Sequence, residues 1–127
     1  MTSVMIDTHI VIWLYTNGID KISSKAQKCI ESNQLLISPI LLLELQYLFE
    51  IGKIVPCPEE IYEDLCSRIG LKVEQNESWY RVTKEALKLS WTRDPFDRLI
   101  VAHTKLLRCC LITKDKLIRS NFEQIIW

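Results

Sequence analysis

Short apolar runs alternate along this chain with longer stretches of helical period. Val4-Met5-Ile6, Leu35-Leu36-Ile37, Leu71-Lys72-Val73, Cys110–Thr113 and Gln124–Trp127 read as strands. The first of these is apolar on both faces, as a strand buried on two sides must be. The helical stretches fall between them. One covers Ile10–Leu14, capped by Asp7 or Thr8 and broken at Asn17-Gly18. A second opens at Ser23 or Ser24, turns Ala26, Cys29 and Ile30 inward and ends near Asn33. A third runs from the cap-and-first-position pair Ser38-Pro39 to about Gly52. A fourth follows Pro58, with Ile61, Leu65 and Ile69 as its apolar stripe and Gly70 as its stop. A fifth, Ser78 to Leu89, places Trp79, Val82, Ala86 and Leu89 inward, and a sixth runs from Asp94 to about Arg108. Strands and helices in this order imply a mainly parallel sheet covered on both faces. A chain of 127 residues holds one such domain, over residues 1–127.

Sites in parallel sheets lie beyond the carboxyl ends of the strands, and several acids fall there. Asp7 follows the first strand, and Asp115 follows the fourth after Lys114. Asp94 and Asp97 open the helix that feeds the fourth strand, in Arg93-Asp94-Pro95-Phe96-Asp97-Arg98. Each of these has a plain structural explanation, since acids cap helices and favour their first turn. Glu44 has no such explanation. The polar face of its helix is Gln46, Glu50 and Lys53, whereas Glu44 has Ile40, Leu41, Tyr47 and Leu48 three and four residues away. A carboxylate in an apolar stripe is costly without a partner. Asp97 likewise has Ile100 and Val101 beside it. If Asp7, Glu44, Asp97 and Asp115 meet at one sheet edge, each pair at 4 Å repels by about 4 kcal/mol at an effective dielectric near 20. Protons or cations must then neutralise them. An all-oxygen set selects a hard ion, Mg²⁺ or Mn²⁺.

These residues, with their order and spacing, resemble the PIN-domain ribonucleases, and within them the VapC-like toxins of toxin–antitoxin pairs. The resemblance rests on Met5-Ile6-Asp7-Thr8-His9, on Ser38-Pro39 through Glu44, on Arg93 through His103 and on Thr113-Lys114-Asp115. It implies a three-layer α/β/α sandwich that cleaves RNA with Mg²⁺ or Mn²⁺. It makes Asp7, Glu44, Asp97 and Asp115 the catalytic, metal-binding acids, with Asp94 as a further member. Thr8, Ser38 and Thr113 occupy positions where the family keeps small hydroxyl residues near the acids. It also implies a homodimer and a cognate antitoxin protein. Trp91-Thr92 stand before Arg93 where many relatives carry a histidine.

Formal net charge is zero, so global charge does not mark an RNA partner. Its distribution does: Lys84 to Arg119 holds nine Lys or Arg against four acids, three of them in the proposed site. Arg93 and Arg98 flank those acids and are the expected phosphate contacts. His103 lies among apolar neighbours and reads as packing. The four tryptophans read as core or dimer contacts. Five cysteines without a C-x-x-C spacing read as reduced packing residues of a cytoplasmic protein, with no zinc framework. No secretion signal or membrane span is expected. Two other function classes stay open: a non-catalytic binding module, and an acid-cluster phosphatase or phosphoacceptor domain. Neither explains Glu44, and Asp7-Thr8-His9 lacks the second acid of an Asp-x-Asp phosphatase loop.

Overall fold

A computed structural model describes residues 2–127. Five parallel strands form one sheet: β1 (Ser3–Ile6), β2 (Gln34–Ile37), β3 (Lys72–Val73), β4 (Cys110–Ile112) and β5 (Ile125–Ile126), in the order β3-β2-β1-β4-β5. Seven α-helices connect them: α1 (Thr8–Tyr15), α2 (Ser24–Ser32), α3 (Pro39–Glu50), α4 (Pro58–Ile69), α5 (Trp79–Ala86), α6 (Pro95–Leu107) and α7 (Lys116–Asn121). The fold is the expected α/β/α sandwich.

The two-residue period of β1 divides the core. Val4 and Ile6 face a cluster that joins Leu35, Ile37 and Ile112 to Ile10 of α1, Ala26 of α2, Leu41 and Leu45 of α3, and Ile61 and Leu65 of α4. Met5 faces the other way and packs with Leu111, Ile100 and Val101 of α6, and Ile118 of α7. Both layers are needed because the central strands β1 and β4 have no polar face to offer water.

Local chemistry sets the ends of the elements. Ser23 and Asp94 cap their helices through side-chain oxygens: Ser23 Oγ accepts from the Ala26 amide, and Asp94 Oδ1 from those of Phe96 and Asp97. Gly70 ends α4 in the left-handed region at φ 70°, where a Cβ would be strained. Four expectations are corrected. Ser38 does not cap α3 with its side chain, because its hydroxyl is drawn to His103 instead. Trp79 is 41% exposed, since it starts the outermost helix and overhangs its partner α6. Helix α5 stops at Ala86, and Ile69, at the last turn of α4, faces solvent. Among the described residues, no helix is long and apolar enough to cross a membrane.

All five strands point the same way, so the residue after each strand lies on one edge. Asp7, Ser38, Glu74 and Thr113 follow β1, β2, β3 and β4. Register places Ile6 beside Ile112 and Ile37 beside Val73. The ladder continues one step further, with the Asp7 amide donating to Ile112 O at 3.1 Å and the Glu74 amide to Ile37 O at 2.9 Å.

Candidate active site

The centre of this edge is Asp7, buried at the end of the middle strand. Its Oδ1 accepts from the Thr8 amide at 2.5 Å, and its Oδ2 accepts from the buried Thr113 hydroxyl on the next strand. That hydroxyl also accepts from the Asp115 amide at 3.1 Å, so Thr113 ties two of the acids together. Burial raises the Asp7 carboxyl above its ordinary value, and nearby Asp115 adds to the rise. The bonds from Thr113 and Thr8, and the proximity of His9, oppose it.

Glu44 reaches this edge from α3. Its Oε1 accepts from the Thr8 hydroxyl at 2.5 Å. Burial pushes its carboxyl up to about 7, against the Thr8 bond, and the charges of Asp7 and Asp94 push the same way. Asp97 enters from the first turn of α6. Burial, followed by the charges of Asp94, Asp7, Asp115 and Glu44, raises it to about 8. Asp115 caps α7 through Oδ1, which accepts from the Ile118 amide at 2.9 Å. The field at Asp97 therefore records all four other acids, carried by β1, α3, α6 and the β4–α7 turn.

Among the described residues, none donates a hydrogen bond to the Asp97 carboxylate, whereas Asp7, Glu44, Asp94 and Asp115 each hold one or more. A half-buried carboxylate in a field of like charge, with no donor of its own, suits a cation. The set is entirely oxygen, which suits Mg²⁺ or Mn²⁺. In their present poses, no three acid, histidine or cysteine side chains among the described residues form a closed metal cage. Asp7 and Glu44 are turned toward threonine hydroxyls, and these bonds must be shared or re-aimed for the carboxylates to ligate together.

The remaining expected residues fall into two groups. Thr8 and Thr113 hold the acids directly. Ser38 bonds elsewhere: its Oγ lies 2.9 Å from His103 Nδ1, and His103 Nε2 lies 3.1 Å from Glu74 Oε1. A carboxylate only accepts, so in the neutral ring Nε2 donates to Glu74 and Nδ1 accepts the Ser38 proton. His103 is thus a buried polar link between the ends of β2 and β3 and α6, not plain packing. Arg93 Nη1 donates to Ser90 O at 2.7 Å and Arg98 Nε to Thr92 O at 2.8 Å, bracing the loop that carries Asp94. Sequence reasoning passed over Glu74, although it follows a strand as Asp7 does. It also did not bring Trp13 and Lys114 to the site. With His9, Asp7 and Asp115 they line a cleft of about 250 Å³.

The fold of this chain resembles that of VapBC2 from Rickettsia felis bound to a DNA fragment from its promoter (TM-score 0.67, 18% identity, 98% of this chain and 96% of that one). It resembles a toxin–antitoxin complex from Klebsiella pneumoniae (0.64, 19%, 98% and 96%) and DNA-bound VapBC from Salmonella typhimurium (0.65, 20%, 98% and 96%). No curated protein matches the sequence. The PIN domain family matches residues 4–121, nearly the whole chain, and the protein belongs to that family.

Proposed function

We propose that this protein is a Mg²⁺- or Mn²⁺-dependent endoribonuclease, the toxin of a toxin–antitoxin pair. The observation that carries the reading is the electrostatic convergence of Asp7, Glu44, Asp94 and Asp115 on Asp97, to whose carboxylate no described residue donates a hydrogen bond. PIN-family membership and the toxin–antitoxin complexes among similar folds support it. Such a cluster has little use in a binding module, because its repulsion is destabilising unless a cation is part of the working state.

In this reading Asp7, Glu44, Asp97 and Asp115 hold the cation, with Asp94 set at the rim as the cap of α6. When bound, the cation supplies positive charge to a phosphodiester and acidifies water. The protein does the positioning. Thr113 fixes the rotamer of Asp7 and the approach of Asp115, and Thr8 does the same for Glu44. Buried Asp7 and half-buried Glu44 and Asp97 limit bulk water around the reacting phosphate. Arg93 and Arg98, braced at the same loop, offer positive charge to flanking phosphates. The partners are an RNA substrate, a cognate antitoxin and a second copy of the chain, and the compartment is the cytoplasm.

Purified protein incubated with an RNA pool and Mn²⁺ or Mg²⁺ is expected to cut it. EDTA and Asp97→Asn are both expected to stop the cutting. Cleavage that persists in both controls removes the metal–carboxylate mechanism. No cleavage across broad pools favours a binding module of the same fold.

A further inference from the structure

Three of the four tryptophans are spent on packing: Trp91 and Trp127 lie against the two core clusters, and Trp79 meets the edge of His103 at 5.9 Å. Trp13 differs. It packs partly on the core, yet its ring also lines the cleft that Asp7 and Asp115 close on the other side. Its orientation is fixed from behind. A Cβ at Gly18 would sit 3.1 Å from Trp13 Cβ and 3.2 Å from Cδ1, so a side chain there would press on the Trp13 ring, and glycine lets the turn after α1 close on it without that crowding. The residue before it, Asn17, takes φ 60° to make that turn. On the cleft side, Lys114 Nζ stands 5.6 Å from the ring centroid, and the His9 ring lies 5.8 Å away, tilted by 49°.

Resting on the nuclease reading above, we infer that this cleft is a nucleobase subsite. An unstacked base of single-stranded RNA lies on Trp13 while Lys114 takes an adjoining phosphate. The chemistry fits in each part. The ring is rigid and aromatic, and stacking on such a platform tolerates any base. Lys114 is exposed and on a flexible stem, and its hold on an exposed aromatic face is weak, so a base displaces it from the ring toward the backbone it prefers. A volume of about 250 Å³ suits one base and its sugar. The acid wall places that base next to the phosphate being cut.

The test is fluorescence anisotropy of a labelled single-stranded adenosine hexamer with the full chain in EDTA. A ribose-phosphate hexamer without bases serves as the second ligand. Trp13→Ala is expected to weaken hexamer binding about 5- to 150-fold, the equivalent of one base–aromatic stack. Trp13→Phe keeps a ring and is expected to stay within about threefold. Lys114→Gln is expected to lower the salt slope by about 0.7, one single-strand phosphate. The wild type should prefer the hexamer to the abasic chain, and Trp13→Ala should lose that preference. If Trp13→Ala does not fold, the abasic comparison with the wild type and Trp13→Phe still decides. Equal affinity for the two ligands in the wild type, or a preference that survives in folded Trp13→Ala, overturns the subsite. Either result leaves cleavage, and so the nuclease reading, untouched. A base preference that depends on Trp13 in a protein that cuts no RNA keeps the subsite and removes the nuclease. An arginine-rich peptide that shields Trp13 from acrylamide when the hexamer does not assigns the cleft to a protein partner and overturns the inference.

Discussion

Replacing Asp97 by asparagine should make the metal-free protein more stable while removing its response to metal. Asp97 moves from an ordinary 3.8 to about 8 on folding, through burial and the charges of Asp94, Asp7, Asp115 and Glu44. Keeping such a carboxyl protonated at pH 7 costs about 4 kcal/mol in full. Solvent reaching the half-exposed side chain screens this to about 1–2 kcal/mol. An acid raised on folding carries no penalty below its unfolded value. The penalty grows from about pH 4 and levels off near pH 8. Asparagine is nearly isosteric and never ionises, so it escapes the penalty. In EDTA at pH 7 to 8, Asp97→Asn should melt about 3–8 °C above the wild type, by circular dichroism or calorimetry. The gap should close near pH 4. Added Mn²⁺ should raise the wild-type melting temperature and leave the variant nearly unmoved. A variant that melts at or below the wild type at pH 8, or a gap that is the same at pH 4, refutes the reasoning, because burial and the neighbouring acids would then not be raising the Asp97 carboxyl in the folded state.

Three further outcomes are expected. Mn²⁺ affinity measured by titration calorimetry should rise by about 50-fold from pH 6 to 7 and about tenfold from pH 7 to 8 and then flatten, as Glu44 near 7 and Asp97 near 8 give up their protons to solvent when the ion binds; a flat profile contradicts this. Thr113→Val keeps the shape but removes the hydroxyl between Asp7 and the Asp115 amide, and should lower metal affinity or kcat about 10- to 100-fold, with Thr113→Ser restoring most of it. His103→Leu strands the buried Ser38 hydroxyl and one Glu74 contact, and should cost about 1–3 kcal/mol in urea unfolding, more than Ser38→Ala alone.

The strands and most helices were legible because their signals are local. Ile6 followed by Asp7, Ser38 with Pro39, and Asp94 with Pro95 mark element ends through caps and fixed backbone angles, whatever lies around them. Glu44 was legible for a different reason: its neighbours in the helical period are apolar, and only a distant partner accounts for that. The structure lays it against Thr8, within the field of Asp7 and Asp94. What sequence could not supply was adjacency across the sheet. Ser38, Glu74 and His103 meet because β2 and β3 are neighbours and α6 crosses behind them, and no local pattern encodes that. Trp79 went astray because helical period assigns a face without saying whether another element covers it. Trp13 and Lys114 lie far apart in the chain, and their meeting follows from β1 pairing with β4.

That last pairing also sets when the site can exist. Thr113 grips Asp7 across 106 positions of sequence, and β1 cannot receive β4 until residues 110–112 have been made. A growing chain can pair β1 with β2 early, but it lacks the Asp115 turn and the strand that seats it until most of its length has emerged. Contacts this distant in sequence close late in folding. Synthesis therefore carries its own delay. On the proposed ribonuclease reading, such a protein is made beside a ribosome built of RNA, and this topology withholds the complete acid cluster from every nascent chain too short to have left it.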